Sequence, residues 1–403
     1  MIDRQHAYVA SVAASSNAFG RDYRTEMGAE PPTPFQGQAW LTQWQATFGA
    51  LPGVELLLVE VREADTGALA YALPLIRRRY RGLMRIEFAD CGVTDYNLPL
   101  LGPAVPVGAI ACRAAWEAIS DILPAADILV FDKMPPTIAG MANPLIEALP
   151  CAQGRDIGSY VEMGDDYAAW LHSLGKHYRK EFARFWRVFT RAEGARFVRA
   201  TTDSEATRIL HWIEERQSAR ARSMGLEQDD FRLDQPEFRR FYRELAQDGV
   251  AKGNVVITAL MAGDEIVAGL FGIAEAGQYA MVRIAIADGE EWANCSPGRL
   301  VIERSIAEMH ATGYRWFDFT TGDYAYKRTF RTVHVPLNEV TLARSIRGLP
   351  RFGLARGKAF IRRRPQLEQL ARQMLGLGRT ILRGKTRPET ELQEPMEKIA
   401  KRP

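Results

Sequence analysis

The chain of 403 residues reads as an α/β (α+β) protein of two units with like element order, each a mixed sheet flanked by helices, followed by a basic helical tail. Three observations predict this. Runs of apolar, β-branched residues alternate with stretches at helical spacing, the order of elements in the first half returns in the second, and the tail changes abruptly in charge. The expected divisions are a lead-in at 1–34, a first unit at 35–158, a second at 159–345 and the tail at 346–403. A cleft is expected between two separate sheets.

Residues 1–34 end in Glu-Pro-Pro-Thr-Pro, a stop signal. Phe35, Trp40, Leu41, Trp44 and Phe48 then recur at helical spacing, an aromatic face that core packing explains. Val54–Val61 and Leu69–Ile76 read as strands joined through Asp65-Thr66-Gly67, and the run Arg77-Arg78-Arg79-Tyr80-Arg81 as a solvated strand end. After a punctuated loop with Asp95-Tyr96-Asn97 come a helix at Ala109–Ile122 and a buried strand at Asp127–Asp132. Four prolines and three glycines over 135–158 mark a seam. In the expected helix Tyr167–Arg191, Lys176, Lys180, Arg184, Arg187 and Arg191 share one face, either a solvated surface or a site for an anionic substrate. Helices at Ser204–Met224 and Gln235–Gln247 and a hairpin about Gly263-Asp264 complete the approach to the central motif.

That motif is strand, turn, helix, strand: Gln278–Asp288, a turn with Ser296 as N-cap and Pro297 at the first helical position, a helix stopped at Gly313, and a buried strand Tyr314–Thr321. Such a unit sets a helix N-terminus beside a strand end, where backbone N–H groups favour an anion. The alternation puts Asp318 on a face with Trp316 and Thr320, so a carboxylate lies among apolar residues near the strand end. Tyr326 and Lys327 follow closely enough to offer a phenol and an ammonium to the same mouth. An ion pair of Asp318 with Lys327 that merely closes the strand end is the bland alternative.

Other chemistries lack their residues. The four cysteines form no Cys-x-x-Cys pair and no histidines form His-Glu-x-x-His, so no metal is expected. No basic-then-apolar leader opens the sequence and no apolar run reaches membrane-spanning length, so a cytoplasmic place is expected, peripheral at the inner face of the membrane if the tail binds lipid. Over 346–387 twelve Lys or Arg face one acid, Glu368, a net +11 in a chain of net +3, leaving −8 elsewhere. Apolar residues interleave with those cations, which suits docking on an anionic membrane surface or a nucleotide regulator.

Phe317-Asp318-Phe319-Thr320-Thr321-Gly322-Asp323, Tyr326-Lys327, Ser296-Pro297-Gly298 before a helix, and the basic helix from Lys176 together resemble the CelD-like, FemAB-related branch of the GNAT acyltransferases. The resemblance is best over 160–344 and extends to Thr33-Pro34-Phe35-Gln36, Trp40 and Asp95-Tyr96. It implies tandem GNAT-like units and an N-acetyltransferase moving an acyl group from a thioester, acyl-CoA (acetyl-CoA), to an amine of a small-molecule or lipid-linked sugar in surface polysaccharide biosynthesis. Asp318, Tyr326 and Lys327 are then the expected catalytic residues, as base, proton donor and phosphate-holding cation. Ser296, Gly298 and Arg299 would hold the donor, and Lys180, Arg184, Asp95 and Tyr96 the acceptor. Where GNAT enzymes using acyl-CoA carry Gln/Arg-x-x-Gly-x-Gly/Ala, this chain has Asn294-Cys295-Ser296-Pro297-Gly298-Arg299, with one glycine for two. The alternatives are a Fem-type peptidyltransferase using aminoacyl-tRNA, its basic helix and tail an RNA track, and a non-catalytic sensor of an anionic ligand.

Overall fold

The computed structural model describes residues 7–13, 18–20, 23–28, 30–223 and 232–362. In the first half the order is β1 (Tyr8–Val12), α1 (Arg24–Met27), α2 (Gln38–Trp44), β2 (Val54–Glu63), β3 (Leu69–Tyr80), β4 (Leu83–Phe88), β5 (Leu100–Leu101), α3 (Ala109–Ile122) and β6 (Ile128–Met134). A small hairpin, β7 (Thr137–Ile138) and β8 (Met141–Ala142), leads through α4 (Pro144–Ala148) to β9 (Ala152–Glu162). The second half runs α5 (Tyr167–Ser173), α6 (Lys176–Phe189), β10 (Arg196–Arg199), α7 (Asp203–Ser223), α8 (Pro236–Lys252), β11 (Val255–Ala262), β12 (Glu265–Glu275), β13 (Gln278–Ile286), α9 (Pro297–Ala311), β14 (Trp316–Thr321), β15 (Val333–Ala343) and α10 (Leu349–Arg362).

Among the described residues the strands order as β1-β2-β3-β4-β6-β15-β9-β14-β13-β12-β11-β10, with β5 on β3. The order is a palindrome: β2, β3, β4 and β6 answer to β11, β12, β13 and β14, with α3 and α9 as the corresponding crossover helices. The tandem layout is therefore present, but the expected pair of separate sheets is not. One continuous sheet forms because β9 and β15 trade places: β9 pairs with β14 of the second unit, β15 pairs with β6 of the first, and the two pair with each other. β9 begins inside the stretch read as a seam. Its two glycines and scattered polar residues, and Pro336 within β15, hide both strands from an alternation test; Pro336 is accommodated at a break in register.

Other elements depart from expectation locally. The long basic helix is two, broken where Gly175 adopts φ 87. The arginine run after Ile76 continues β3 into a turn at Arg81-Gly82. The lead-in contributes β1, paired along β2. Of the tail, α10 is described and everything from residue 363 lies outside the described residues.

Apolar packing joins the halves. Trp40 meets Phe241 at 4.8 Å and Phe48 meets Phe238 and Phe241 at 5.2 and 5.3 Å, clamping α2 on α8. Edge and tilted contacts of this kind are worth roughly 0.5–1.5 kcal/mol each beyond burial. The aromatic face of α2 is thus core, as expected, and it fixes the loop Asp90–Asn97 beside the second unit. Trp44 Nε1 donates to the Asp90 carbonyl at 3.1 Å, Trp40 Nε1 to Thr94 Oγ1 at 3.3 Å and Gln36 Nε2 to the Tyr96 carbonyl at 2.8 Å.

Candidate active site

Strands β13 and β14 run parallel but pair at three positions, ending at Ala280 with Asp318. Beyond that they part. β13 carries an extra residue, Val282, against β12, and Thr320 on β14 turns into the left-handed region with φ 57. Its hydroxyl donates to the Met281 carbonyl at 3.1 Å, a side-chain substitute for the lost ladder bond. The kink falls after Asp318, so Trp316 and Asp318 alternate with buried Phe317 and Phe319 as expected, whereas Thr320 leaves that face and is buried.

Asp318 stands at the point of divergence. Its Oδ1 accepts the Tyr96 hydroxyl at 2.9 Å and the Thr320 N–H at 2.5 Å. Burial pushes its carboxyl up to about 7, and those two donors only partly oppose the rise. Tyr96 reaches it by passing over Gly158 of β9, where a Cβ would lie 2.5 Å from its hydroxyl. Asp95 next door accepts the Thr321 hydroxyl, and burial raises its carboxyl as well. A loop of the first unit and a strand end of the second therefore build one cluster.

Lys327, on a short 3-10 turn after β14, is buried with 1% of its surface exposed. Its ammonium donates to the carbonyls of Thr320 at 2.9 Å and Thr321 at 3.2 Å, and lies 5.6 Å from the Tyr324 ring centroid. Burial brings its pKa down to about 8, against the pull of Asp318 and Asp95. Among the described residues it forms no ion pair with Asp318, which removes the bland reading of the two as a direct pair. Tyr326 is half-buried beside Phe319 and stacked on Tyr324 at 6.0 Å; burial raises its phenol, and it has no hydrogen bond to Asp318.

The helix start is built differently from expectation. Ser296 adopts φ 44 and makes no side-chain cap; its hydroxyl accepts from Arg299 Nε at 3.0 Å. Arg299 is committed to both oxygens of Glu181 at 3.1 and 3.2 Å, pinning α9 to α6. The N–H groups of Gly298 and Arg299, in the first turn of α9, meet no backbone acceptor among the described residues. Arg184 and Arg299 both lie on the Phe185 ring, at 5.0 and 4.8 Å, so Arg184 belongs to this end and not beside Asp318. Lys180 is exposed and has no hydrogen bond or ion pair among the described residues. Cys295 is buried with its thiol pushed up to about 11, an inert position.

Gly158 and Lys133 went unread in the sequence. Lys133 binds Asp90 at 2.8 Å and the Thr94 carbonyl at 2.6 Å, steadying the loop that carries Asp95 and Tyr96. Asp132 beside it is pushed up to about 6 by burial and by Asp90. The Gly-Ser pair Gly158-Ser159, opposite Thr321 in the sheet, held the only local hint of a close approach.

Residues 176–328 match the family model described as "Acetyltransferase (GNAT) domain". This stretch is a GNAT acetyltransferase domain. It holds the splayed strands, the helix start, Asp318, Tyr326 and Lys327, and it supports an acyltransferase activity. Among solved structures, FemX is similar at 12% identity over 78% of this chain and 93% of that one, with a TM-score of 0.50. The C-terminal domain of a putative lysylphosphatidylglycerol synthetase from Agrobacterium fabrum is similar at 11% identity over 83% and 95%, also at 0.50. A tandem GNAT protein from the clavulanic acid biosynthesis pathway is similar at 12% identity over 84% and 99%, at 0.45. At these identities the first two likenesses concern the fold. No curated protein matches the sequence.

Proposed function

We propose that the protein transfers an acetyl group from acetyl-CoA to the amine of an amino sugar or sugar-nucleotide, free or lipid-linked, in surface polysaccharide biosynthesis. The observation that carries the chemistry is Asp318, a carboxyl raised to about 7 at the mouth where β13 and β14 part. A base poised near neutrality takes a proton from an attacking ammonium without binding it too tightly. Asp95 and Asp318 share the cluster with one cation, Lys327, and Lys133 is already paired with Asp90, so the interior favours a positively charged amine.

The residues present fit a thioester donor. The uncapped N–H groups of Gly298 and Arg299 would hold its phosphates at the α9 dipole, with Arg184 as the nearby cation. Arg299, neutralised by Glu181, holds the helix start in place, and Ser296 serves it as an acceptor. Bound acyl-CoA supplies the activated carbonyl. Tyr326, whose raised phenol stays protonated, would return a proton to the leaving thiolate. Lys327 acts as a positioning cation, drawing the Thr320 and Thr321 carbonyls inward so that the Thr320 N–H faces Asp318. Asp95 and Tyr96 shape the acceptor side.

The test is thiol release from acetyl-CoA by full-length protein across a panel of amino sugars and their nucleotides, with donor binding measured separately by calorimetry. Asp318→Asn should bind acetyl-CoA as the parent does and lose transfer. Absence of acetyl-CoA binding, with transfer from aminoacyl-tRNA instead, would move the reading to the Fem-type alternative, which the exposed cations of α6 favour.

A further inference from the structure

Far from the splayed strands, the turn between β3 and β4 and the start of the C-terminal segment come together. Arg347 donates to the Gly82 carbonyl at 3.1 Å, and Gly348 lies so close to Asp127 that a Cβ would sit 2.0 Å from its carbonyl oxygen. Arg344 reaches the end of α3 through Ser120 Oγ at 2.7 Å. On the turn, the guanidinium groups of Arg78, Arg81 and Arg85 lie 5.4, 5.4 and 5.5 Å from the Tyr80 ring centroid. Glu87 is shared by Arg78 and Arg85, Glu55 takes Arg77, and Asp127 is bound by Ser345 and the Met84 N–H. Arg79, Arg81, Arg351 and Lys358 form no ion pair among the described residues. Cations thus collect on this face well beyond the acids that could neutralise them.

Apolar residues stand among those cations. Ile346 is 84% exposed, Leu349 52% and Leu354 51%. Helix α10 carries no acid and buries no residue, although it includes Pro350, Gly353 and Gly357. A helix of fourteen residues with two internal glycines draws little stability from propensity, and here it draws little from packing. Such a helix is stabilised when half-exposed apolar side chains and unpaired cations both find a partner at once.

We propose that the β3–β4 turn and the segment Arg344–Arg362 form one face that docks on an anionic lipid surface. Charge complementarity names the headgroups, and Ile346, Leu349 and Leu354 favour a bilayer interface over a nucleic acid, which offers no apolar layer to these aliphatic side chains. Among the described residues no helix is long and apolar enough to cross a membrane, so attachment would be peripheral and salt-sensitive.

Flotation of the full chain with vesicles decides it. Vesicles containing phosphatidylglycerol should carry the protein at low salt and release it at high salt, and vesicles of phosphatidylcholine alone should not carry it. Each cation near such a surface changes partition about fivefold, so the triple variant Arg79→Gln, Arg81→Gln, Arg351→Gln should bind roughly a hundredfold less. Ile346→Ser with Leu349→Ser should weaken binding at every salt concentration, and circular dichroism should show both variants folded, since all these side chains are exposed. Equal flotation with neutral vesicles, none with either kind, an unaffected triple variant, or binding to single-stranded RNA without binding to anionic vesicles overturns the proposal.

Discussion

Replacing Tyr96 by Phe removes one hydroxyl and keeps the ring that packs edge-on against Phe35 at 5.9 Å. The lost interaction is the 2.9 Å hydrogen bond to Asp318 Oδ1, leaving the carboxylate with the Thr320 N–H alone. A hydrogen bond to a charged group is worth roughly 1.5–3 kcal/mol, which corresponds to about one to two pH units in the titration of its acceptor. Because the bond favours the ionised form, its loss moves Asp318 upward from about 7. The sign for stability follows from linkage. The folded protein keeps a proton on Asp318 that the unfolded chain has already lost between the ordinary value of 3.8 and about 7, so this group makes stability fall as pH rises through that window. Tyr96→Phe extends the fall to higher pH. Carbon-13 NMR of carboxyl-labelled aspartate reads the titration directly, with Asp318→Asn identifying the resonance. A parent midpoint in the ordinary carboxylate range, or one unmoved by Tyr96→Phe, would refute the reasoning about Asp318 whatever the substrate.

Two further outcomes are expected from the same cluster. Gly158→Ala places a methyl 2.5 Å from the Tyr96 hydroxyl and 2.7 Å from its Cε1, so it should displace the ring, shift Asp318 in the same alkaline direction and cost roughly 1–3 kcal/mol in urea unfolding. Lys327→Ala strips the Thr320 and Thr321 carbonyls of their donor in a buried place, and a loss of about 2–4 kcal/mol should accompany any loss of transfer. A thermally unchanged Lys327→Ala protein would mean that the ammonium does not hold the strand end.

Much of this protein was legible in its sequence, and the reasons are local. Helix α3 falls at the expected residues, and the β11–β12 hairpin turns at Gly263, because periodicity and glycine chemistry act over a few residues. Asp318 and Lys327 stood out because a carboxylate and an ammonium beside apolar runs need an explanation wherever they fold. The rest was decided by contacts distant in sequence. β9 and β15 lack alternation because their environment is a sheet centre assembled from both halves, so nothing in either segment announces which strand it will join. The roles of Lys327 and Arg299 turned on partners, two carbonyls and Glu181, that the sequence leaves equally open to a phosphate. Tyr96 meets Asp318 across 222 positions, and only Gly158 on a third segment leaves room for the meeting. Sequence sets which side chains carry charge and where the backbone bends, while desolvation and pairing, which give Asp318 its proton affinity, exist only once those three segments are packed together.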